Sequence, residues 1–551
     1  MTRISTCPTV LELFERSCQR FTDRPFLCVF ENKQKRSLTY AQARERITAF
    51  AFHLRQQGVQ PGDSVALAGR NSPEWALAFL AILWAEAVVV PLDAQLGASD
   101  LARLASLGRC RLVVRSKELS ELDGLLPGVP VFPLDARELE VLPGQAFPQS
   151  VQNPGETAVI LFTSGTTGHP KGVVLTHSNL VSDCLLAQKL LSISENDIFY
   201  ALLPLHHAYT LLAVFLEAVS VGASILFAEK MAVSSVLSDL RQGQVTMFLA
   251  VPLLFNKLLA GLLKAVRERG FLAWVWVRSL MLLSGWVKKT TRYNPGKVWF
   301  RPLLDKAGLS QVRVCISGGG PLAPTVFRRF NELGLDFVQG YGLTETSPIL
   351  ALNPVERYKE KSVGRLIPGV EARLLNVDSQ GQGELAVRGP MVMKGYFNDA
   401  AATEEVLSAG GWLRTGDVGR LDAENYLYLT GRVKSLIVSE GGKNVYPEEI
   451  EYAFQLYPEV EQVLVRGWLK NPALHTEGIE ALLYPNADAV KAWSAARPGV
   501  DTETLVRAEL GELVAKVNRG LAAYQKIDRF TVLKEPLEMT TTRKIKRPKP
   551  T

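Results

Sequence analysis

Cysteine is scarce in this sequence and never closely paired. The six cysteines form no Cys-x-x-Cys pair and no regular frame over 551 residues. This pattern argues against a disulfide framework and is typical of reduced, mostly buried thiols. We therefore expect a cytoplasmic protein.

Long uninterrupted apolar runs are also missing. The most apolar window, residues 76–92, contains Glu86 and divides into a helix-like half and a strand-like half that begins at Val88. This pattern favours a buried helix followed by a strand over a membrane span. In the first eight residues no apolar core follows the charge, so we expect no signal peptide.

A strong excess of one charge is absent as well. The formal net charge is +7, and hydrophobic residues make up 47% and charged residues 21% of the chain. Such a balance is typical of a globular protein and gives no support to a nucleic-acid role. At this length the chain exceeds a single hydrophobic core, so we expect two or more domains.

What the sequence does contain is a loop rich in glycine and hydroxyl groups. Residues 161–172 read Leu-Phe-Thr-Ser-Gly-Thr-Thr-Gly-His-Pro-Lys-Gly and lie between two strand-like runs. Backbone N–H groups, hydroxyls and a lysine in one loop can surround phosphate oxygens. The loop is not a Walker A sequence, because Pro170 stands where the second glycine is needed. A polar hairpin turn is the alternative.

The rest of the chain alternates between helical and strand patterns. Thr39 is a candidate N-cap, Pro73 opens the next predicted helix, and short apolar strands follow at regular intervals. This rhythm predicts an α/β fold with layered parallel sheets and helical crossovers. From Val363 to about Gly431 the pattern changes to short strands and Gly/Asp turns, which predicts a small antiparallel β lobe.

Residues 255–306 form a basic, amphipathic and tryptophan-rich segment. Apolar side chains share one helical face of residues 255–266, and residues 271–286 are nearly all apolar. Basic residues follow as Lys288, Lys289, Arg292, Lys297 and Arg301. The segment is typical of a helix on a membrane surface. A helix pair that covers a substrate channel or the core is the alternative.

Two further glycine-rich turns follow predicted strands. Gly318–Gly320 come after strand 312–317 and would leave room for a flat ligand ring. After strand 337–339, Tyr341 lies between two glycines and is followed by Thr344 and Glu345. An aromatic ring can stack on a purine, and these oxygen atoms can ligate Mg²⁺.

Asp417 follows Thr415-Gly416 and is predicted to be a turn carboxylate. It could accept hydrogen bonds from both ribose hydroxyls, and Arg432 could reach the same sugar or a phosphate. Gly-Asp turns without any ligand are common, so that reading stays open.

Four motifs together resemble one family. Residues 163–172, 341–345 (Tyr-Gly-Leu-Thr-Glu), 415–417 (Thr-Gly-Asp) and 431–434 (Gly-Arg-Val-Lys) resemble the AMP-forming acyl-CoA synthetases. These enzymes belong to the adenylate-forming superfamily, with firefly luciferase and peptide-synthetase adenylation domains. The resemblance covers nearly the whole chain. It implies an N-terminal adenylate-forming domain over residues 1–432 and a small, mobile α+β C-terminal domain over 433–551.

The resemblance also implies ATP, Mg²⁺ and CoA as ligands. The glycine loop would hold phosphates, Tyr341 would stack on adenine, Glu345 would hold Mg²⁺ and Thr344 would contact the α-phosphate. The implied ATP- and AMP-binding residues are Thr163, Ser164, Gly165, Thr166, Thr167, Gly168, Lys171, Gly318, Gly319, Gly320, Gly340, Tyr341, Gly342, Thr344, Asp417 and Arg432.

The C-terminal residues have implied roles too. Lys544 would bridge the substrate carboxylate and the α-phosphate, although Arg543 replaces the glycine that commonly precedes this lysine. Lys546 is the competing assignment, and a solvated basic tail is the structural alternative. Lys434 would be the hinge, and Gly441 with Gly442 would admit the CoA thiol arm. The implied catalytic residues are Lys544, His207, Thr344 and Glu345.

The acid substrate is predicted from the residues after strand 198–203. His207 would lie near the carboxylate and thiol tunnel, or be an ordinary loop histidine. Amino-acid-activating relatives carry an aspartate just beyond, where this chain has Ala208-Tyr209-Thr210. The apolar residues 255–286 resemble the corresponding segment of long-chain synthetases. We therefore expect an uncharged medium- to long-chain fatty acid activated to acyl-AMP and transferred to CoA. A carrier-protein or aryl-acid ligase, and a catalytically silent relative, are the alternatives. Peripheral contact with the inner face of a membrane is a further expectation.

Overall fold

A computed structural model describes residues 8–134, 152–163, 169–439, 443–455, 457–471, 476–539, 545 and 547. Its strands form two large sheets and two small ones. The strands are β1 Pro25–Glu31, β2 Gln34–Thr39, β3 Ser64–Ala68, β4 Val88–Leu92, β5 Cys110–Arg115, β6 Val131–Pro133, β7 Thr157–Thr163, β8 Lys171–Thr176, β9 Ile198–Ala201, β10 Ser224–Phe227, β11 Met247–Ala250, β12 Val314–Ser317, β13 Asp336–Gly342, β14 Ile349–Leu352, β15 Gly364–Leu366, β16 Glu371–Leu375, β17 Gly383–Arg388, β18 Gly395–Tyr396, β19 Leu413–Leu421, β20 Tyr426–Arg432, β21 Ile437–Val438, β22 Asn444–Val445, β23 Val460–Asn471, β24 Thr476–Pro485 and β25 Arg529–Val532.

Helices cover the sheets and connect their parallel strands. The α-helices are α1 Val10–Arg20, α2 Tyr40–Gln56, α3 Pro73–Trp84, α4 Ala98–Leu107, α5 His177–Ala187, α6 Ala208–Thr210, α7 Glu217–Val221, α8 Val233–Gln242, α9 Pro252–Arg267, α10 Phe271–Thr291, α11 Gly296–Trp299, α12 Arg301–Lys306, α13 Pro324–Glu332, α14 Ala400–Val406, α15 Pro447–Phe454, α16 Ala487–Ala496 and α17 Thr502–Gly520.

Local sequence signals place several of these elements. The Thr39 hydroxyl accepts the Gln42 N–H and caps α2, and Pro73 lies in the first turn of α3, as predicted. Every residue of α3 except Glu74 is buried, because the rest of this helix is apolar all round and packs within the core. The five cysteines in the described part of the chain are free and buried, which confirms the expectation of buried thiols for them.

The larger sheet has 13 strands and changes character at β13. From β1 through β10, β9, β11 and β12 to β13 its neighbours are parallel. The second half of β13 then pairs antiparallel with β14, so that Tyr341 lies opposite Ala351. The predicted antiparallel lobe is confirmed, and its strands continue this edge of the large sheet. Our prediction that the strand ends at Gln339 was wrong, because pairing with β14 extends it through Gly342.

The smaller sheet has seven strands and carries the glycine loop. Strands β6, β5, β3, β4 and β7 are parallel, and β8 and β18 add antiparallel edges. The loop joins β7 to β8 within one hairpin. The α/β class with layered sheets is therefore confirmed.

Strands β21–β25 and helices α15–α17 enclose a core of their own. Buried side chains from Ile437 to Ile527 form one cluster separate from those of the large sheets. Next to it, the Gln455 side chain accepts the Ala323 N–H at 2.8 Å and donates to the Pro321 carbonyl at 3.0 Å. The domain boundary after residue 432 and the mobility of the second part stay predictions.

Helix α10 corrects our expectation for the basic segment. Lys288 does not lie on an exposed surface that could contact a membrane: its side chain is 5% exposed, and Nζ donates to Asp336 Oδ1 at 2.8 Å and to Asn331 Oδ1 at 2.7 Å. Met281 and Ser284 are buried on the same face. One face of α10 thus packs against the protein. No helix in the described part of the chain has the length and apolarity to cross a bilayer.

The Lys288–Asp336 pair gives a stability test. Burial lowers the pKa of Lys288, and the Asp336 carboxylate opposes that shift. Lys288→Ala removes the donor to the buried Asn331 oxygen and leaves Lys297 as the ion-pair partner of Asp336, so it should lower the free energy of unfolding by about 2 kcal/mol. Lys289→Ala is the control, because its pair with Glu360 is exposed and should contribute less than about 1 kcal/mol. Urea unfolding of both variants measures this, and equal effects would contradict it.

Candidate active site

The base of the glycine loop is an antiparallel pair. Thr163 lies opposite Lys171 in the β7–β8 hairpin, and the Thr163 hydroxyl donates to the Lys171 carbonyl at 3.4 Å. This pairing brings the two ends of the loop together. Residues Ser164–Gly168 lie outside the described part of the chain, so their phosphate contacts stay predictions.

Tyr396 connects this loop to the carboxylate after β13, and the sequence analysis missed it. The Tyr396 hydroxyl donates to Glu345 Oε1 at 2.9 Å, and Lys171 Nζ lies 4.8 Å from the centre of the Tyr396 ring. Burial and the Glu345 carboxylate raise the pKa of Tyr396, so the phenol keeps its proton. One tyrosine thus orients an anion and a cation that belong to different sheets. Its only sequence signal is an aromatic residue after Gly395.

The turn that holds Thr344 and Glu345 is fixed by the backbone around it. Leu343 N–H donates to the Pro348 carbonyl at 3.0 Å, and Met393 N–H donates to the Glu345 carbonyl at 2.9 Å. A side chain at Gly342 would not fit, because its Cβ would lie 1.6 Å from the Pro348 oxygen. The Glu345 carboxylate is therefore presented from a rigid turn at the end of β13.

Tyr341, Asp417 and Arg432 form one hydrogen-bonded group. The Tyr341 hydroxyl donates to Asp417 Oδ2 at 2.6 Å, and Arg432 Nε donates to Asp417 Oδ1 at 2.9 Å. Burial and the carboxylate raise the pKa of Tyr341 well above its usual value, and the carboxylate raises that of Arg432. The structure brings these three predicted nucleotide residues together.

The position of Asp417 differs from our expectation. We predicted a turn carboxylate, but Asp417 lies inside strand β19, where it is opposite Arg432 of β20. Its side chain is 7% exposed. The strand continues through Gly416 because the hairpin partner supplies a ladder of hydrogen bonds that the local Thr-Gly-Asp sequence does not reveal.

The second glycine run lies against Tyr209. A Cβ at Gly318 would come within 2.7 Å of the Tyr209 ring, whose hydroxyl donates to the Ile316 carbonyl at 3.2 Å. A Cβ at Gly320 would meet Pro252 at 3.7 Å. The predicted flat-ring role of Gly318–Gly320 is untested. The structure adds that the Tyr209 ring covers one side of the backbone at Gly318.

His207 begins the helical run of residues 208–221, which includes a π-helical stretch at Leu211–Leu216. Its ring centre is 4.1 Å from that of His206, whose side chain is 9% exposed and whose Nε2 lies 3.7 Å from Asp93 Oδ2. Burial lowers the pKa of His206 to about 3, so this imidazole is neutral at physiological pH. π-Helical turns are frequent at functional sites. A role for His207 stays a prediction.

Some predicted site residues lie outside the described part of the chain, namely Gly441, Gly442, Lys544 and Lys546. Lys434 is described and lies in a short 3₁₀ turn, Val433–Ser435, directly after Arg432. Its hinge role is untested.

The donor set fits a magnesium ion that is shared with phosphates. The described residues contain no group of three or more histidine, cysteine, aspartate or glutamate side chains that could hold a metal ion. Mg²⁺ bound with a nucleotide needs only one or two carboxylates, since phosphate oxygens and water supply the rest. Glu345 offers one carboxylate close to Lys171, which suits that arrangement.

Comparison with known proteins identifies the family. The model of a family described as "AMP-binding enzyme" matches residues 14–397, well over half of the chain. The chain belongs to the AMP-binding enzyme family. This confirms the resemblance predicted from the four motifs. The protein is therefore an adenylate-forming acid–CoA ligase that activates an acid with ATP.

Two curated relatives of this AMP-binding enzyme act on different acids by name. A feruloyl-CoA synthase of Amycolatopsis sp is 30% identical over 438 residues, which cover 78% of this chain and 80% of the relative. The long-chain-fatty-acid–CoA ligase heimdall of Drosophila melanogaster is 30% identical over 513 residues, which cover 83% of this chain and 74% of the relative.

Solved structures confirm the fold of the AMP-binding enzyme. The anthranilate CoA ligase AuaEII with anthranoyl-AMP has a TM-score of 0.77 and 21% identity, covering 98% of this chain and 95% of its own. The o-succinylbenzoate CoA synthetase MenE of Bacillus subtilis, with ATP and magnesium, has a TM-score of 0.76 and 24% identity. The match covers 97% of this chain and 98% of MenE. At these identities the likeness establishes the fold.

The Tyr396 hydroxyl offers a test of the Glu345 role. Tyr396→Phe keeps the ring beside Lys171 but removes the hydrogen bond to the carboxylate, a bond to a charged group worth about 2 kcal/mol. If Glu345 ligates Mg²⁺, the variant should need about tenfold more Mg²⁺ for half-maximal pyrophosphate exchange. Tyr428→Phe is the matched control, since its hydroxyl bonds to Asp422 on another strand hairpin. An unchanged Mg²⁺ requirement in Tyr396→Phe would show that the hydroxyl does not orient a metal ligand.

Proposed function

We propose that this AMP-binding enzyme activates a medium- to long-chain fatty acid to acyl-AMP and transfers the acyl group to CoA, releasing AMP and pyrophosphate. The observation that supports an uncharged acid is the wall beside Gly318, and the resemblance of residues 255–286 to long-chain synthetases supports a long acyl chain. Tyr209 covers that backbone from one side, Pro252 lies against Gly320, and His206 is neutral. The chain has Ala208-Tyr209-Thr210 where amino-acid-activating relatives carry an aspartate, which disfavours a cationic substrate.

The first half-reaction requires two anions to meet. The substrate carboxylate attacks the α-phosphorus of ATP, so positioning and charge neutralisation dominate catalysis. Lys171 would neutralise phosphate charge at the base of the glycine loop, and Mg²⁺ on Glu345 would supply a second positive centre. The Tyr396 hydroxyl would hold that carboxylate in place.

The nucleoside would be held by the group around Asp417. Its two carboxylate oxygens are already oriented by Tyr341 and Arg432, which leaves their remaining lone pairs for the ribose hydroxyls. The Tyr341 ring would stack on adenine while its hydroxyl stays bonded to Asp417. A preorganised acceptor of this kind costs little reorganisation when the nucleotide binds.

An aryl acid is the second candidate. The feruloyl-CoA synthase matches this chain at the same 30% identity as the fatty-acid ligase, and a flat aromatic acid would suit a wall made by the Tyr209 ring. The likeness of residues 255–286 to the corresponding segment of long-chain synthetases favours the fatty acid. Transfer to a carrier protein in place of CoA is a variant of either candidate.

A panel of acids tests the proposal. AMP release is measured with CoA and with fatty acids of increasing chain length, ferulate, coumarate and anthranilate. Fatty acids should give the highest kcat/KM, by at least about tenfold over the aryl acids, since each added buried methylene contributes about 0.8 kcal/mol. A higher value for ferulate would replace the fatty-acid assignment. Absence of acid-dependent pyrophosphate exchange with every acid would indicate a catalytically silent protein. A comparison of CoA with holo carrier protein as acceptor shows which of the two receives the acyl group.

Lys544 should be required for the first half-reaction only. A charge contact made in the transition state is worth several kcal/mol, so Lys544→Ala should lower adenylation by about a hundredfold or more. Acyl-adenylate supplied to the variant should still react with CoA. Lys546→Ala is the matched control and should keep both activities. Loss of adenylation in Lys546→Ala instead would transfer the bridging role to that lysine.

Lys434 should act as a hinge between two arrangements of the C-terminal part. The chain leaves β20 at Arg432 and enters the short turn Val433–Ser435, so large backbone changes here would move everything beyond. Lys434→Pro restricts φ to about −65°. We expect pyrophosphate exchange to be kept and thioester formation to be lost.

Lys434→Ala is the control, because it removes the same side chain without restricting the backbone, and it should keep both half-reactions. A melting curve establishes that the proline variant is folded. Equal loss of both half-reactions in a folded Lys434→Pro protein would contradict the rotation.

A further inference from the structure

The outer face of helix α10 is an exposed apolar ridge. Leu272, Trp276, Leu283 and Trp286 follow each other at spacings of four, seven and three residues and so share one side of the helix. Their exposed fractions are 82%, 67%, 46% and 66%. We call these four residues the α10 ridge. The opposite face packs on the protein, with Gly285 against Glu332 of α13. At 21 residues the helix is about 30 Å long.

The surroundings of the α10 ridge are strongly basic. Residues 252–301 contain ten lysines and arginines and one acid, Glu268. Several of these cations are neutralised, such as Lys288 by Asp336 and Lys289 by Glu360. Others have no carboxylate within ion-pair distance among the described residues, and these are Lys257, Arg269, Arg292 and Arg301.

Aromatic residues extend the ridge at its C-terminal end. Tyr293 is 62% exposed, and Trp299 of the short helix α11 is 41% exposed. Tryptophan and tyrosine are enriched where apolar lipid meets water, because each has an apolar body and one polar atom. A protruding helix with large aromatic and aliphatic side chains, flanked by unpaired cations, has the composition of an interfacial membrane helix.

We propose that the α10 ridge docks on an anionic lipid bilayer, with the helix in the plane of the interface and its apolar side chains below the headgroups. A second copy of this chain fits less well, since a symmetric contact through the ridge would bring the same unpaired cations face to face. A spanning arrangement does not fit either, because one long face of α10 is packed on α13 and includes the buried Lys288. The inference is independent of which acid is activated.

This assignment changes which residues matter for membrane contact. Lys288 and Lys289 follow the apolar stretch in sequence, but the first is buried and the second is paired with Glu360. The ridge supplies the apolar contact, and Arg292 and Arg301 supply the attraction to anionic headgroups. Each basic residue near such a surface contributes about 1 kcal/mol, and added salt screens that part.

Flotation of the full chain with vesicles is the experiment. The vesicles contain phosphatidylcholine alone or a mixture with phosphatidylglycerol. The wild type should float with the anionic mixture and partly dissociate when salt is raised. The variant Leu272→Ser/Trp276→Ser/Trp286→Ser should bind at least about tenfold more weakly, because three exposed apolar anchors are gone. The control variant Leu107→Ser/Val377→Ser/Leu469→Ser removes three exposed apolar residues elsewhere and should bind as the wild type does.

A second measurement needs no substitution in the ridge. Brominated phosphatidylcholine in the anionic vesicles should quench part of the tryptophan fluorescence of the wild type, because Trp276 and Trp286 would reach the acyl chains. The variant Arg292→Ser/Arg301→Ser should lose most of the salt-sensitive binding. Circular dichroism and AMP release with a water-soluble acid confirm that each variant is folded.

Each result decides the proposal. Failure of the wild type to float and absence of quenching would overturn it. Equal flotation of the ridge variant and the control variant would place the contact elsewhere on the molecule. A concentration-dependent dimer in sedimentation that the ridge variant abolishes, without vesicle binding, would assign the ridge to a second copy instead.

Discussion

The arrangement of the site depends on a single strand that has two kinds of neighbour. The first half of β13 is parallel to β12 within the core, and its second half leaves that parallel set to pair with β14. Tyr341 lies on this second half, and the turn with Glu345 follows at once. Backbone hydrogen bonds to β12 and to β14 therefore position Tyr341, whose ring is predicted to stack on adenine, and Glu345, the predicted metal ligand. This positioning does not depend on side-chain contacts. The glycine at 342 is part of the same constraint, since the Pro348 carbonyl occupies the space of a side chain.

Local signals in the sequence were sufficient for much of the fold. The cap at Thr39, the proline at the start of α3 and the alternation of apolar runs each act over a few residues, and the structure confirms them. Pairing between distant strands was harder to predict. Asp417 was expected in a turn because Thr-Gly-Asp resembles one, yet β20 extends the strand through it. Lys288 was expected among the basic residues of a membrane-surface segment, because no local signal reveals its partners Asn331 and Asp336, which lie more than 40 residues away.

The candidate site was also predictable from local motifs but not from contacts between distant residues. Motifs indicated Tyr341, Glu345, Asp417 and Arg432 individually, and family resemblance gave them roles. Neither source indicated that Tyr341, Asp417 and Arg432 share hydrogen bonds. Tyr396 was missed because its contacts come from strands and turns distant in sequence, whereas its own surroundings read only as Gly-Tyr before a helix cap. The AMP-binding family model matches residues 14–397, which include the first two of the four motifs.

The ladder position shared by Asp417 and Arg432 has a thermodynamic consequence. Arg432 is the last residue of β20, and the backbone that follows leads straight into the turn at Val433–Ser435. Any ligand that tightens the Asp417–Arg432 contact also restrains the first rotatable residues of the connection to the C-terminal part. If nucleotide favours one of two states of that connection through this contact, free-energy linkage is reciprocal, so that state binds nucleotide more tightly. The ratio of the two affinities then equals the factor by which nucleotide shifts the populations of the states.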